Sequence, residues 1–329
     1  MLRGTSMWRS SASSDVVTPG RPRFTTPFPL RRRRRRSFRS TGRLGVALAF
    51  LLPALAWFTL FHFIPDILNF YYAFTDWVPL FHPGSPWVGL RNFDFLWRTG
   101  VLRDTIVITG IFAVVNVVLQ NIVALLFALA LEQTTRTSQI YRTLLFLPVL
   151  VSPLAWGYVF KGILQPNGPL NAFLSLFVTG SIHYPWLADS TMAIYYCAAV
   201  SAWKWFGITM LIYIAGLNSI PRELEESARV EGAGAWNVFR HVKWPLLAPA
   251  LTFNLALSVI GGLQAFDIIL ALTAGGPGTK TTVFNYYILN EFTSGYWGLA
   301  TAMSLVLFLA ICAISIPMIV YLRRREVTL

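Results

Sequence analysis

Residues 218–249 read N-S-I-P-R-E-L-E-E-S-A-R-V-E-G-A-G-A-W-N-V-F-R-H-V-K-W-P-L-L-A-P. Apolar runs long enough to cross a bilayer flank this stretch on both sides. Within it stand Arg222, Glu223, Glu225, Glu226, Arg229, Glu231, Arg240 and Lys243. So dense a polar interruption makes the flanking runs separate membrane helices and the stretch itself a loop between them. Pro221 suits the first position of a short helix, where a missing N–H costs little. Glu223, Glu225 and Glu226 then fall near the positive end of the helix dipole. Gly232 and Gly234 break that helix or let another backbone come close. A second short helix is expected over about residues 235–244, with Trp236, Phe239 and Val242 on one face. Pro245 and Pro249 end it and turn the chain back into lipid.

Composition agrees with a polytopic membrane protein. Of 329 residues, 55% are hydrophobic and only 12% charged, about half the charged share of a soluble domain. The formal net charge of +13 is concentrated where it argues for topology rather than nucleic acid. Arg31 to Arg36 form an unbroken run before the first apolar segment, and Arg323 to Arg325 follow the last. Residues 1–43, rich in Ser, Thr, Pro and Arg, read as a disordered basic cytoplasmic tail. The apolar run behind them is too long for the core of a cleavable signal. Cys197 and Cys312 lie in apolar segments, with no disulfide framework and no metal-ligand spacing.

Six spans are expected, at about residues 44–64, 105–131, 143–164, 191–217, 246–272 and 299–321. The fold class is therefore all-α membrane protein: a six-helix domain over residues 44–325, preceded by the tail and carrying the polar loop 218–249. Arg136 and Arg142 lie between the second and third spans, and the loop's basic residues between the fourth and fifth. Positive charge favours the cytoplasmic side, so both termini and the polar loop are expected there. The connector with Arg91, Arg98 and Arg103 is an outward exception. A short outer helix is expected over residues 171–177 and a tight turn at Ala274-Gly275-Gly276-Pro277-Gly278.

The loop resembles a motif of the permeases of binding-protein-dependent ABC importers: E-A-A-x-x-x-G, nine residues, then I-x-L-P. Glu226-Ser227-Ala228 stands for E-A-A, Gly232 for the glycine, and Val242-Lys243-Trp244-Pro245 for I-x-L-P, with the nine-residue gap intact. Ser227, Val242 and Trp244 depart from the pattern conservatively. The preceding G-L-N-S-I-P-R-E-L-E-E from Gly216 and the later F-D-I-I-L-A-L-T-A-G-G-P from Phe266 resemble the sugar-importer branch, close to maltose and glycerol-3-phosphate permeases. The resemblance covers about residues 44–325. It implies the six-helix core of a type I importer in the inner membrane and a docking loop for a separate ATPase. That loop would present Glu225, Glu226, Ser227, Ala228, Gly232, Ala233, Phe239, Val242 and Pro245. It further implies a second related permease, an ATPase dimer, an extracytoplasmic solute-binding protein and a sugar-like solute. No cofactor is expected in this chain, ATP and Mg being held by the partner ATPase.

The residues themselves show no nucleophile–base pair, no metal set and no Gly-x-x-x-x-Gly-Lys-Ser/Thr phosphate loop. Polar groups inside the spans are the remaining signal, since they usually face a bundle interior or a watery cavity. In the fourth span these are Trp205 and Thr209, beside Lys204; in the fifth, Ser258, Gln264 and Asp267, with Gly262 and Ala265 on the Ser258 face. By resemblance this part of the fifth span lines the solute pathway. Asn254 and Ser258 equally suit interhelical hydrogen bonds, Gly261 and Gly262 close helix packing, and Lys204 an interfacial snorkel. Rival readings remain: an ion-coupled carrier using Asp267, a membrane enzyme, or an importer of amino acids.

Overall fold

The computed structural model describes residues 50–79 and 84–326. The expected tail, with Arg31 to Arg36, lies outside the described residues. Chain contacts divide into a unit ending at Trp57 and a unit beginning at Phe58. Helix α1, Phe50–Tyr72, carries a π turn at Thr59–Phe63. There follow α2 (Arg91–Arg98), α3 (Val101–Ala130), α4 (Arg136–Leu150), α5 (Pro153–Ile163), α6 (Pro169–Leu174) and α7 (Ala193–Asn218). The rest are α8 (Arg222–Val230), α9 (Ala235–Leu246), α10 (Ala248–Leu263), α11 (Asp267–Leu272), α12 (Phe284–Thr293) and α13 (Trp297–Arg323). Among the described residues the one β pairing is an isolated bridge, Thr75 to Trp87.

Four helices, α1, α3, α7 and α13, are each long and apolar enough to cross a membrane. The pairs α4–α5 and α9–α10 bring the number to six if each bent pair is one span. The third span is thus not the continuous helix expected over residues 143–164. It starts earlier, at Arg136, and bends by 97° between Leu150 and Pro153. Pro153 disfavours a helical residue before it, and Val151 and Ser152 take ψ of 144° and 136°. Near the break, Trp156 Nε1 donates to Pro148 O at 2.9 Å and Lys204 Nζ to Val149 O at 3.2 Å. The expected fifth span is likewise interrupted, with α10 ending at Leu263 and α11 starting at Asp267.

Helix α7 is the most enclosed span. Cys197, Ala198, Val200 and Phe206, which point to different sides of it, are all buried, as fits a helix apolar all round. One core joins α3, α7 and α11 through Phe112, Ala198, Ile269 and Leu272. A second joins α3 and α7 to the α9–α10 corner through Ala124, Met210, Tyr213 and Leu247. A third gathers Ala73, Leu96, Phe284 and Met303. Helix α13 turns Phe308, Leu309, Ile316 and Val320 outward, the side chains a lipid-facing helix would show. The turn after α11 is as expected, with Ala274, Gly275 and Gly278 at positive φ. The short helix expected over residues 171–177 forms a little earlier, at Pro169–Leu174. Asn171 holds it, donating to Pro166 O and Tyr184 O at 3.0 and 2.9 Å and accepting from Trp186.

Candidate functional site

Two polar regions stand out. The first is the hairpin of α8 and α9. Pro221 sits just outside α8, as its N-cap with ψ 130°, rather than at the first helical position. Glu223 and Glu225 occupy the first turn. The helix closes with a Schellman motif: Ala233 N donates to Ala228 O at 2.9 Å and Gly232 N to Arg229 O at 3.0 Å. Gly232 has φ +88°, and a Cβ built there meets nothing within 4 Å. Within this chain, its value is therefore the left-handed backbone rather than close approach.

Helix α9 does not end at Pro245. A π turn at Phe239–Lys243 is followed by a last helical turn, Trp244–Leu246, with Pro245 near its start. The corner falls at Leu247, where the chain bends by 66° into α10, and Pro249 lies in the first turn of that helix. Trp236 and Phe239 pack with ring centroids 5.6 Å apart, and Phe239 and Trp244 at 6.0 Å. Val242 is half-buried. Glu225 pairs with Arg229 at 3.6 Å and Lys243 at 3.4 Å. Glu226 and Ser227 are exposed, and Glu226 has no ion-pair partner among the described residues. Val230, 88% exposed, and Trp236, 67% exposed, bare apolar surface on the same hairpin.

The second region is a cavity of about 310 Å³ between α3, α7, α10 and α11, at the lower end of ligand-pocket sizes. Trp205, Thr209, Ser258, Gly262, Gln264, Ala265 and Asp267 all border it. Not all of them face it freely. Ser258 is buried, donating to Asn254 O at 2.7 Å and accepting from Asn121 at 3.1 Å. A Cβ on Gly262 would lie 3.1 Å from Ala113 Cα, so Gly262 serves the contact between α10 and α3. Beside it, a Cβ on Gly261 would meet nothing.

The wall also contains Asn116 and Gln120, which the sequence reading missed. The signal was present: two amides four residues apart in an apolar helix share a face. Asn116 Nδ2 donates to Gln120 Oε1 at 3.2 Å, and Gln120 Nε2 donates to Thr209 Oγ1 at 2.8 Å. Tyr213 donates to Asn121 at 2.7 Å, extending the network between α3, α7 and α10. Asn116 Oδ1 is buried with no hydrogen-bond partner among the described residues. Lys204 does not snorkel. It is 1% exposed, and its ammonium lies 4.1 Å from the Trp205 ring centroid while serving the carbonyls at the α4–α5 break.

Residues 120–326 match the model of a family described as binding-protein-dependent transport system inner membrane component. The chain belongs to this family. It is the permease component of an ABC transporter, not the ATPase. A probable starch degradation products transport system permease of Thermoanaerobacterium thermosulfurigenes is 31% identical over 84% of this chain and 94% of its own length. The trehalose/maltose transport system permease of Thermococcus litoralis is 30% identical over 83% of this chain and 91% of its own. A crystal structure of a bacterial ABC transporter that imports alginate superposes with a TM-score of 0.72, covering 87% of this chain and 97% of that one at 22% identity, which shows the shared fold. The permease and these relatives agree over nearly the whole membrane domain.

Proposed function

We propose that the permease forms half of the pathway for a carbohydrate, or a related polyol or sugar phosphate, delivered by an extracytoplasmic binding protein. A second related permease supplies the other half. Two copies of a separate ATPase hold ATP and Mg and dock, on the cytoplasmic side, against α8 and α9. ATP-driven closure of the ATPase pair moves the hairpins and opens the cavity outward; hydrolysis returns it. The sugar-importing relatives support the solute class. So does the wall, where the Trp205 ring suits a sugar's C–H face and the exposed amide of Gln264 suits a hydroxyl.

The hairpin carries this reading. A capped element that exposes the Glu226 carboxylate, without an ion-pair partner among the described residues, and bares Val230 and Trp236 on the same hairpin has the make-up of a surface awaiting a protein partner. Removing one member of a partly buried charge pair costs about 3–5 kcal/mol. Glu226→Lys is therefore expected to abolish co-purification of the ATPase while leaving membrane insertion intact. Full association of that variant would refute docking through this face.

A further inference from the structure

We propose that Lys243 is a positioning residue that couples the docking hairpin to the cavity wall by gripping Glu132. This rests on the reading of α8–α9 as the ATPase-docking element. The Lys243 side chain is 9% exposed, and its ammonium reaches both Glu132 carboxylate oxygens, at 2.6 and 2.8 Å. Its remaining side faces Glu225 at 3.4 Å. One cation thereby joins α8, α9 and the connector after α3.

The π turn makes this possible. In a regular α-helix, residue 243 would stand one turn above Phe239, on the same face. The extra residue lets Trp244 N–H donate to Phe239 O and brings the Trp244 ring over Phe239. Lys243 is turned off that aromatic face and into the protein.

The far end of the grip is also fixed. Arg142 on α4 donates to the carbonyls of Leu131 and Glu132, the latter at 3.2 Å, and Ser138 Oγ donates to Leu131 O at 2.8 Å. These groups satisfy the open carbonyls at the C-terminus of α3. A displacement of the hairpin is therefore passed through Lys243 and Glu132 to α3, the helix that bears Asn116 and Gln120 at the cavity. The cluster is only partly buried, with the Glu132 and Glu225 side chains 28% and 20% exposed; ion pairs of this kind are a poor source of stability compared with apolar packing, and their best-attested use is to set register.

The test uses the whole complex with partner permease and ATPase, reconstituted in vesicles. Gly261→Cys, placed in a Cys197→Ala, Cys312→Ala background, reports cavity access through a soluble maleimide, with MgATP and vanadate as the drive. Without further change, the drive is expected to alter the labelling rate about tenfold. Lys243→Met and Glu132→Gln should each keep ATPase co-purification but reduce that response to less than twofold. The double variant should be no worse than either single one, because both remove the same contact. Lys243→Arg should keep at least half of the response. A normal response in Lys243→Met overturns the proposal. So do additive losses in the double variant, and so does loss of ATPase association in Lys243→Met, which would make the cluster part of the docking surface's own fold. Glu226→Lys serves as the separate arm. Its failure to release the ATPase condemns the docking reading, whereas failure of the Lys243 arm alone condemns only the grip.

Discussion

In the α8–α9 hairpin, Glu226 stands exposed with no ion-pair partner among the described residues, and Val230 and Trp236 are bare on the same hairpin. In the cavity wall, Gln120 is spent on Thr209, and Ser258 on Asn121 behind the wall. Asn116 Oδ1 and Asn254 Oδ1 are the buried acceptors of this network without a partner among the described residues. The hairpin has the character of a finished surface for a large partner. The wall has the character of a self-supporting frame with few groups left over, which suits a solute that must be released as readily as it enters. The same residue types thus serve opposite ends, and what separates them is whether their hydrogen bonds and charges are already used inside the chain.

The largest expected effect comes from two neighbouring glycines in the wall. Gly262→Leu forces a side chain into the contact with Ala113. Overpacking of this kind costs about 1–3 kcal/mol or more, so the variant should lose complex assembly by detergent-stable size-exclusion chromatography. Gly261→Leu points into open space and should assemble normally yet lose solute uptake. If both variants behave alike, the division of α10 into a packing face and a cavity face is wrong.

A smaller effect is expected at the hairpin's hinge. Gly232 sits at φ +88° with free space around it. A β-branched residue there carries a left-handed cost of about 1–2 kcal/mol. Gly232→Val should weaken ATPase association about tenfold, whereas Gly232→Asn, whose side chain tolerates that conformation, should be nearly silent. Titrating purified ATPase onto the reconstituted permease separates the two. An equal loss in both would show that the partner's backbone comes close to this glycine, so that space and not angle matters.

The hairpin was legible in the sequence because proline, glycine and charge each act locally. Pro221, Gly232 and Pro249 fall within a residue or two of a boundary. Its π turn was not legible, because no residue type announces one. The bend in the third span had its marks in Pro148 and Pro153, but apolar periodicity runs straight through them. Lys204 was misjudged for a related reason: only once α4 breaks do free carbonyls appear inside the bundle for its ammonium to meet. In the wall, all seven expected residues border one cavity. Which of them are consumed by neighbours depends on α3, whose amides lie some 90 to 140 residues away in sequence from their partners.

The most direct test of docking is site-specific cross-linking at the hairpin. A single cysteine at Glu226, in the Cys197→Ala, Cys312→Ala background, would be treated in inverted membrane vesicles with a short bifunctional maleimide. With the ATPase subunit present, a covalent permease–ATPase product is expected from position 226 and none from a control cysteine at Phe173 on α6. Cross-linking from Phe173 and not from position 226 would contradict the account.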